Sequence, residues 1–308
     1  MIDRKLKDNI NYHTAKSVKE CGNTKKVAML LFLFTSPCLL KYTVTGKLKG
    51  ERTLKTVVEL QNIGMKYQSL NGEIPAVENI NLKIYEGEFV SIVGPSGCGK
   101  TTILSLISGL LAPTTGKVLI DGEEVTGPSK KVGYMLQKDH LFDWRTIRQN
   151  VLLGLEIQKA VTSSAKAYAD HLLKTYGLID FANKYPNQLS GGMRQRAALI
   201  RTLVTNPQIL LLDEAFSALD YQTRLAVNDD IYSIIKKEHK TAIMVTHDIA
   251  ESISMSDRVI VLTSRPGTIK SVHEINFELE DRTPLKTRKV PKFQQIFECI
   301  WKELDVHV

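Results

Sequence analysis

Gly94-Pro95-Ser96-Gly97-Cys98-Gly99-Lys100-Thr101, followed by Thr102, is the stretch on which the fold turns. It fits G-x-x-x-x-G-K-[ST], the pattern of a loop that cradles phosphate. The apolar run Glu88-Phe89-Val90-Ser91-Ile92-Val93 before it reads as a buried strand, and Thr101 to Ile107 after it opens a helix. Glycines let the backbone bend so that several N–H groups face one anion. The helix N-terminus adds its partial positive charge at the same spot. Lys100 can then reach β- and γ-phosphates, and the Thr101 hydroxyl can ligate Mg²⁺.

Working outward, the same alternation recurs. Val132-Gly133-Tyr134-Met135-Leu136 is a second buried strand ending at Gln137. A helical stretch from about Thr146 to Asn183 follows, broken at Pro186, and Ser190 starts another helix through Leu203. Ile209 to Leu212 is a strand ending in Asp213-Glu214, Asp220 through Lys237 is helical, and Thr241 to Thr246 is a strand ending at His247. Arg258 to Leu262 is one more strand, closed by Pro266-Gly267. Upstream, Val57 to Ile63 and Ile80 to Ile84 read as strands on either side of the Asn71-Gly72 turn, and Lys117 to Ile120 enters a hairpin at Asp121-Gly122. Strands alternating with helices, with polar chemistry at the strands' carboxyl ends, predict an α/β fold with a mostly parallel sheet.

Composition bounds the rest. With 308 residues, 43% hydrophobic and 24% charged, the chain can bury one large core or two modest ones. The net charge of +8 is local: of 41 basic and 33 acidic residues, 12 and 4 lie in residues 1–55, which leaves 29 of each sign for the remainder. The remainder therefore has no electrostatic reason to bind nucleic acid. Residues 1–55 are atypical. Lys25-Lys26 precede an apolar run from Val27 to Leu40 that is shorter than the about 20 residues a membrane span needs. Its positive-then-apolar layout is that of an export signal. The preferred reading is a segment upstream of the fold, from a start set too early, with a peripheral membrane anchor as the second. Cys21, Cys38, Cys98 and Cys299 show no CxxC pair or metal spacing, and nothing suggests an oxidising compartment.

Asp213 closes an unbroken aliphatic strand, which suits it to hold Mg²⁺, and the adjacent Glu214 is suited to polarise an attacking water. Ser190 at a helix start, with Gly191-Gly192 exposing backbone N–H groups, makes a second anion site. Taken together, the phosphate loop, Gln137, Leu189-Ser190-Gly191-Gly192, Ile209 to Glu214, Ser217-Ala218-Leu219-Asp220 and Thr246-His247-Asp248 resemble, in that order, the nucleotide-binding subunit of ABC transporters. Met193 departs from the family, where many members have Gln.

The resemblance covers roughly residues 57–270. It implies a P-loop NTPase core with an antiparallel β subdomain and an inserted helical subdomain near 138–200, inside an ATPase domain at 56–270 and ahead of a tail at 271–308. It implies ATP and Mg²⁺ bound at Gly94, Pro95, Ser96, Gly97, Cys98, Gly99, Lys100, Thr101 and Thr102, with Tyr67 stacked on adenine. Glu214 would act as general base and His247 would contact γ-phosphate. Gln137 would sense the Mg²⁺ that Thr101 and Asp213 hold. In a head-to-tail homodimer, Ser190, Gly191, Gly192 and Asp220 would reach the partner's nucleotide.

Outside residues 1–55 there is no run of 18 apolar residues, so the pore must be another chain, and the resemblance implies two permease subunits. Asp139, His140, Leu141, Phe142, Asp143 and Trp144 are the expected permease contacts. Leu141 to Thr146, Asn150-Val151 and Leu153 to Ile157 look like the nitrate/sulfonate/taurine group of importers. So does the amphipathic tail with Phe293, Phe297, Ile300, Trp301 and Leu304, which is also the pattern of a helix packed on its own domain. The expectation is a peripheral ATPase at the cytoplasmic face of the membrane, served by an extracytoplasmic solute-binding protein. An importer for a pyrimidine precursor or bicarbonate, an exporter subunit and a non-transport ATPase are the alternatives.

Overall fold

A computed structural model describes residues 55–70, 72–217 and 219–304. The expectations placed on residues 1–54 lie outside them. Two fourteen-residue strands come first, β1 (Thr56–Ser69) and β2 (Gly72–Tyr85), forming one long antiparallel hairpin. The sequence suggested shorter strands, because Asn62, Gly64 and Asn79 break the alternation. In the structure Asn62 and Asn79 take positive φ at register shifts, so the hairpin continues through bulges.

β3 (Phe89–Val93) feeds the phosphate loop and α1 (Lys100–Ile107). β4 (Thr115–Ile120) and β5 (Glu123–Glu124) complete a four-stranded antiparallel sheet of order β2-β1-β4-β5. Then come β6 (Val132–Met135), α2 (Ile147–Ile157), α3 (Ser163–Thr175), α4 (Gly191–Leu203), β7 (Ile209–Asp213), α5 (Tyr221–Lys237), β8 (Thr241–Val245), α6 (Ile249–Met255), β9 (Arg258–Leu262), β10 (Ile269–Glu274), α7 (Pro284–Thr287) and α8 (Pro291–Leu304). The main sheet runs β10-β9-β3-β8-β7-β6, parallel throughout except for the β10–β9 pair.

Both faces of β3, β7 and β8 are covered, which is why their sequences are unbroken apolar runs rather than alternating ones. Phe89, Leu210 and Leu212 face the helices α2 to α5, while Val90, Leu211 and Ile243 face α1 and the antiparallel sheet. Fully burying each such side chain contributes on the order of 1.5–3 kcal/mol. Alternation along the strands thus staples two cores together through one sheet.

Two sequence boundaries fall inside elements. Position 200 lies within α4, whose Leu199 and Leu203 pack in the same core as α2 and α5. Position 270 lies within β10, which pairs with β9 and so extends the sheet. The tail packs on the domain: Ile275, Phe277, Phe293 and Ile300 bury against Ile249, Ile253, Val259 and Val261. No helix among the described residues is long and apolar enough to cross a membrane.

Candidate nucleotide site

The carboxyl ends of β3, β7 and β8 converge on an open cavity of about 530 Å³. Ser96, Gly97, Gly99, Lys100, Thr101 and Thr102 line it together with Tyr67, Ala76, Glu214, His247 and Arg265. Gly97 and Gly99 sit at φ +75 and +96, where a side chain would strain the backbone. A Cβ on Gly99 would also come within 2.4 Å of Val77 Cγ1, so the loop closes against β2 only as glycine.

Lys100 is 8% exposed and donates to the carbonyls of Gly94 (2.9 Å) and Pro95 (3.0 Å). Gly94, Pro95 and Cys98 were expected beside the phosphates, but they do not line the cavity. The Cys98 side chain is fully buried with Sγ 3.9 Å from Lys100 Nζ, and burial pushes its thiol pKa up. Cys98 therefore faces the core and can offer a phosphate its backbone alone.

The Thr101 hydroxyl donates to Asp213 Oδ1 (3.1 Å), and Tyr134 donates to Asp213 Oδ2 (3.0 Å). Burial raises the Asp213 pKa against the pull of these two bonds, and the neighbouring Glu214 charge raises it further. Thr101 and Asp213 present only oxygens, the donors a hard cation such as Mg²⁺ takes. Glu214 adopts φ +45, a conformation that costs a non-glycine residue on the order of 1–3 kcal/mol. Its N–H donates to Val245 O (3.0 Å), while Gln137 Nε2 reaches Glu214 Oε2 (3.1 Å) and His247 Nδ1 lies 3.5 Å from Oε1. Two side chains from neighbouring strand ends thus hold one carboxylate at the cavity wall.

Tyr67 lies on β1 at the cavity edge, its hydroxyl 3.1 Å from Thr102 Oγ1. Arg265 and Ala76 line the cavity without having been singled out in the sequence. The guanidinium of Arg265 donates to Pro75 O (3.1 Å), and Gly267 lies against the Cys98 carbonyl, where a Cβ would meet it at 2.0 Å. Pro266-Gly267 carried the sole hint, as a turn.

Ser190, Gly191, Gly192 and Asp220 do not line this cavity. Ser190 caps α4 through Met193 N–H (3.3 Å), and Asp220 caps α5 through Thr223 N–H (3.0 Å), which holds the Asp220 carboxyl below its ordinary pKa. Gly192 admits α5: a Cβ there would lie 2.9 Å from Val227 Cγ2. In the segment after Gln137, Arg194 pairs with Asp139 (3.0 Å), and Arg201 donates to the carbonyls of Asp139 and His140 (2.7 Å each). Leu141 is buried. The Phe142 and Trp144 rings stack 4.7 Å apart, with Trp144 74% exposed.

A glycine-rich loop between a parallel strand and a helix, with strand-end carboxylates beside it, defines a P-loop nucleotide hydrolase. Residues 77–217 match the family model described as ABC transporter. An uncharacterized ABC transporter ATP-binding protein of Bacillus subtilis, YtlC, is 48% identical over 248 residues, 80% of this chain and 95% of that one. The nitrate import ATP-binding protein NrtD of Synechocystis sp. is 40% identical over 78% of this chain and 91% of its own, and the taurine import ATP-binding protein TauB of Jannaschia sp. 39% over 80% and 92%. A dimeric post-hydrolysis structure of an ATP-binding cassette bound to ADP and Pi is 34% identical with a TM-score of 0.61, covering 71% of this chain and 99% of that one. The chain belongs to the ABC transporter ATP-binding family and is an ATPase.

Proposed function

We propose that this chain is the ATP-hydrolysing subunit of an ABC importer for a small anionic solute such as a sulfonate, taurine or nitrate. The observation that carries the chemistry is Glu214, held between Gln137 and His247 at the wall of the phosphate-loop cavity. In this reading ATP lies in the cavity, its phosphates against the N–H groups of Ser96 to Thr102 and its adenine on Tyr67. Lys100 exchanges its loop carbonyls for β- and γ-phosphate oxygens. Glu214 takes a proton from the attacking water, and His247 fixes the γ-phosphate. Thr101 and Asp213 would hold Mg²⁺, with Gln137 beside them, and the bound ion supplies charge neutralisation to the phosphates.

Ser190, Gly191, Gly192 and Asp220 do not line the chain's own cavity, which leaves them for the site of a second copy. Such closure excludes water and strengthens every charge interaction inside. The dimeric state of the similar ADP- and Pi-bound cassette supports this. Two permease subunits, meeting the segment from Asp139 to Trp144, and an extracytoplasmic solute-binding protein complete the transporter at the cytoplasmic face of the membrane. The import functions named for NrtD and TauB support this solute class.

The test is Glu214→Gln in the cell, with uptake of taurine, an alkanesulfonate, nitrate and a pyrimidine precursor compared with wild type. Collapse of one of the first three identifies the solute. Collapse of the pyrimidine precursor alone keeps the importer and removes the anion. Survival of all four, while the purified wild-type chain hydrolyses ATP, overturns the sulfonate, taurine or nitrate reading and favours an exporter subunit or a non-transport ATPase.

A further inference from the structure

The edge strand β10 and the helix α8 bring together three side chains that the ATPase does not use. A ring nitrogen of His273, Cys299 Sγ and a carboxylate oxygen of Glu303 all lie within 4.8 Å of one another. Cys299 and Glu303 are four residues apart on α8 and so share one of its faces. His273 and Ser271 share one face of β10. His273 Nε2 is 3.1 Å from Glu303 Oε2, and the Ser271 hydroxyl bonds to both. Lys270 Nζ donates to the Glu303 carbonyl (2.6 Å). The His273 and Glu303 side chains are 20% and 24% exposed, so an ion has an entry path and the groups are not fully solvated.

We propose that His273, Cys299 and Glu303 form a binding site for a zinc-like divalent transition-metal ion, with water as the fourth ligand. The donor set decides the class. Imidazole nitrogen, thiolate sulfur and carboxylate oxygen are ligands of tetrahedral zinc, whereas Mg²⁺ and Ca²⁺ take oxygens. The site thus differs in chemistry from the Thr101–Asp213 oxygen pair. Bonds of about 2.0–2.3 Å set tetrahedral ligands about 3.5 Å apart, so side-chain rotation closes the gap that remains. On binding, the Cys299 thiol gives its proton to solvent, and the ion exchanges three waters for sulfur, nitrogen and oxygen. The Ser271 hydroxyl already orients the carboxylate, as an outer-shell partner does. The ion would clip α8 to the sheet edge, which makes the seating of the C-terminal helix depend on metal supply.

The competing account is that the Ser271–His273–Glu303 hydrogen bonds seat α8 without an ion, leaving Cys299 no metal-binding part. A titration of the full-length, tag-free, reduced chain with Co²⁺, in the absence of nucleotide and Mg²⁺, separates the two. The expected result is one Co²⁺ per chain, with thiolate-to-metal absorption in the near ultraviolet that added Zn²⁺ bleaches. Cys299→Ser abolishes that absorption, while a Cys21→Ser/Cys38→Ser double variant keeps it. His273→Gln and Glu303→Gln each weaken Zn²⁺ binding at least about tenfold. Zn²⁺ also raises the melting temperature of the wild-type chain but not that of His273→Gln, which keeps the proposal falsifiable should Cys299→Ser fail to fold. No thiolate absorption in the wild-type chain, or absorption that survives Cys299→Ser or is lost with Cys21 and Cys38, overturns it.

Discussion

The Thr101 hydroxyl donates to Asp213 Oδ1 across 3.1 Å, tying the first turn of α1 to the end of β7. The two residues are 112 positions apart, and the parallel sheet brings them together by setting the phosphate-loop strand two places from β7, with β8 between. The bond has a functional and a structural face. It sets two oxygens side by side, the pair proposed to take a hard cation, and it partly satisfies a carboxylate whose pKa burial pushes up. Thr101→Ser keeps the hydroxyl and is expected to retain ATPase activity within a few-fold. Thr101→Ala, on the scale of one preorganised electrostatic contact, lowers kcat by about 10²–10³. Steady-state phosphate release at saturating ATP and Mg²⁺ decides it; equal activity in the two variants would leave the hydroxyl with no catalytic part.

Glu214 is held by Gln137 and by the approach of His247, so its position does not depend on its charge alone. Glu214→Gln removes the proton acceptor while preserving the shape. Hydrolysis is expected to fall by about 10²–10⁴, the range of general-base catalysis, with ATP affinity retained. Single-turnover kinetics with a fluorescent ATP analogue separate the two quantities. A loss of binding that parallels the loss of rate would make Glu214 a nucleotide ligand instead.

The parallel sheet and the phosphate loop were legible because their signals are local. A buried parallel strand such as Ile209 to Leu212 must be apolar on both faces, and the loop's glycines stand at fixed spacing. What the sequence hid depends on distant neighbours. Cys98 reads as a loop residue, yet its side chain turns into the core, because Gly94 and Gly267 leave room behind the loop. Arg265 carries no motif and reaches the cavity only because β9 lies beside β3. The family resemblance ends near position 270, inside a polar stretch with no apolar run to mark a strand, and pairing with β9 alone makes β10 part of the sheet.

Glu251 is a buried acid with a predictable pH signature. It accepts from Thr246 Oγ1 and from Asn228 Nδ2 (3.0 Å), and burial raises its pKa above the ordinary 4.5 despite these bonds. The folded chain therefore holds this proton more tightly than the unfolded chain. Its contribution to stability is fully present below about pH 4.5 and is lost as pH rises through the folded value. Glu251→Gln mimics the protonated form and is expected to remove that loss, so that its stability relative to wild type improves as pH rises. Urea unfolding across pH 5 to 8 measures it. A difference between the two chains that does not change with pH would assign the raised pKa no role in stability.

Ser190 separates capping from catalysis. Its hydroxyl caps α4, and replacing such a cap by alanine costs about 1 kcal/mol. That cost alone leaves the chain folded and its ATP affinity unchanged. If Ser190 also grips the nucleotide of a second copy, Ser190→Ala lowers ATPase activity by tenfold or more while the melting temperature shifts by a few degrees. Gly192→Ala serves as the contrasting variant, because its Cβ meets Val227 Cγ2 at 2.9 Å and strains the α4–α5 packing. Thermal melts paired with phosphate release distinguish them: activity that merely tracks melting temperature in both variants argues against a contact in trans.

Trp144 is 74% exposed and stacks on Phe142, on a segment that Asn150 fixes from beneath. The Asn150 side chain accepts from Phe142 N–H (2.7 Å) and donates to the carbonyls of Phe142, Arg145 and Thr146 (3.1 Å each). A large aromatic held rigid and left in water is what a protein interface uses as an anchor. Trp144 lies outside the nucleotide cavity, so Trp144→Ala is expected to leave the ATPase activity of the isolated chain within about twofold. Truncating an interface anchor costs about 2 kcal/mol or more, so affinity for the permease should fall at least about thirtyfold. Asn150→Ala should release the segment and weaken the same association while also lowering stability, since four hydrogen bonds lose their partner. Co-purification of the variant chains with the permease in detergent reads both effects. Retention of Trp144→Ala at wild-type stoichiometry and salt resistance would move the permease contact elsewhere on the cassette.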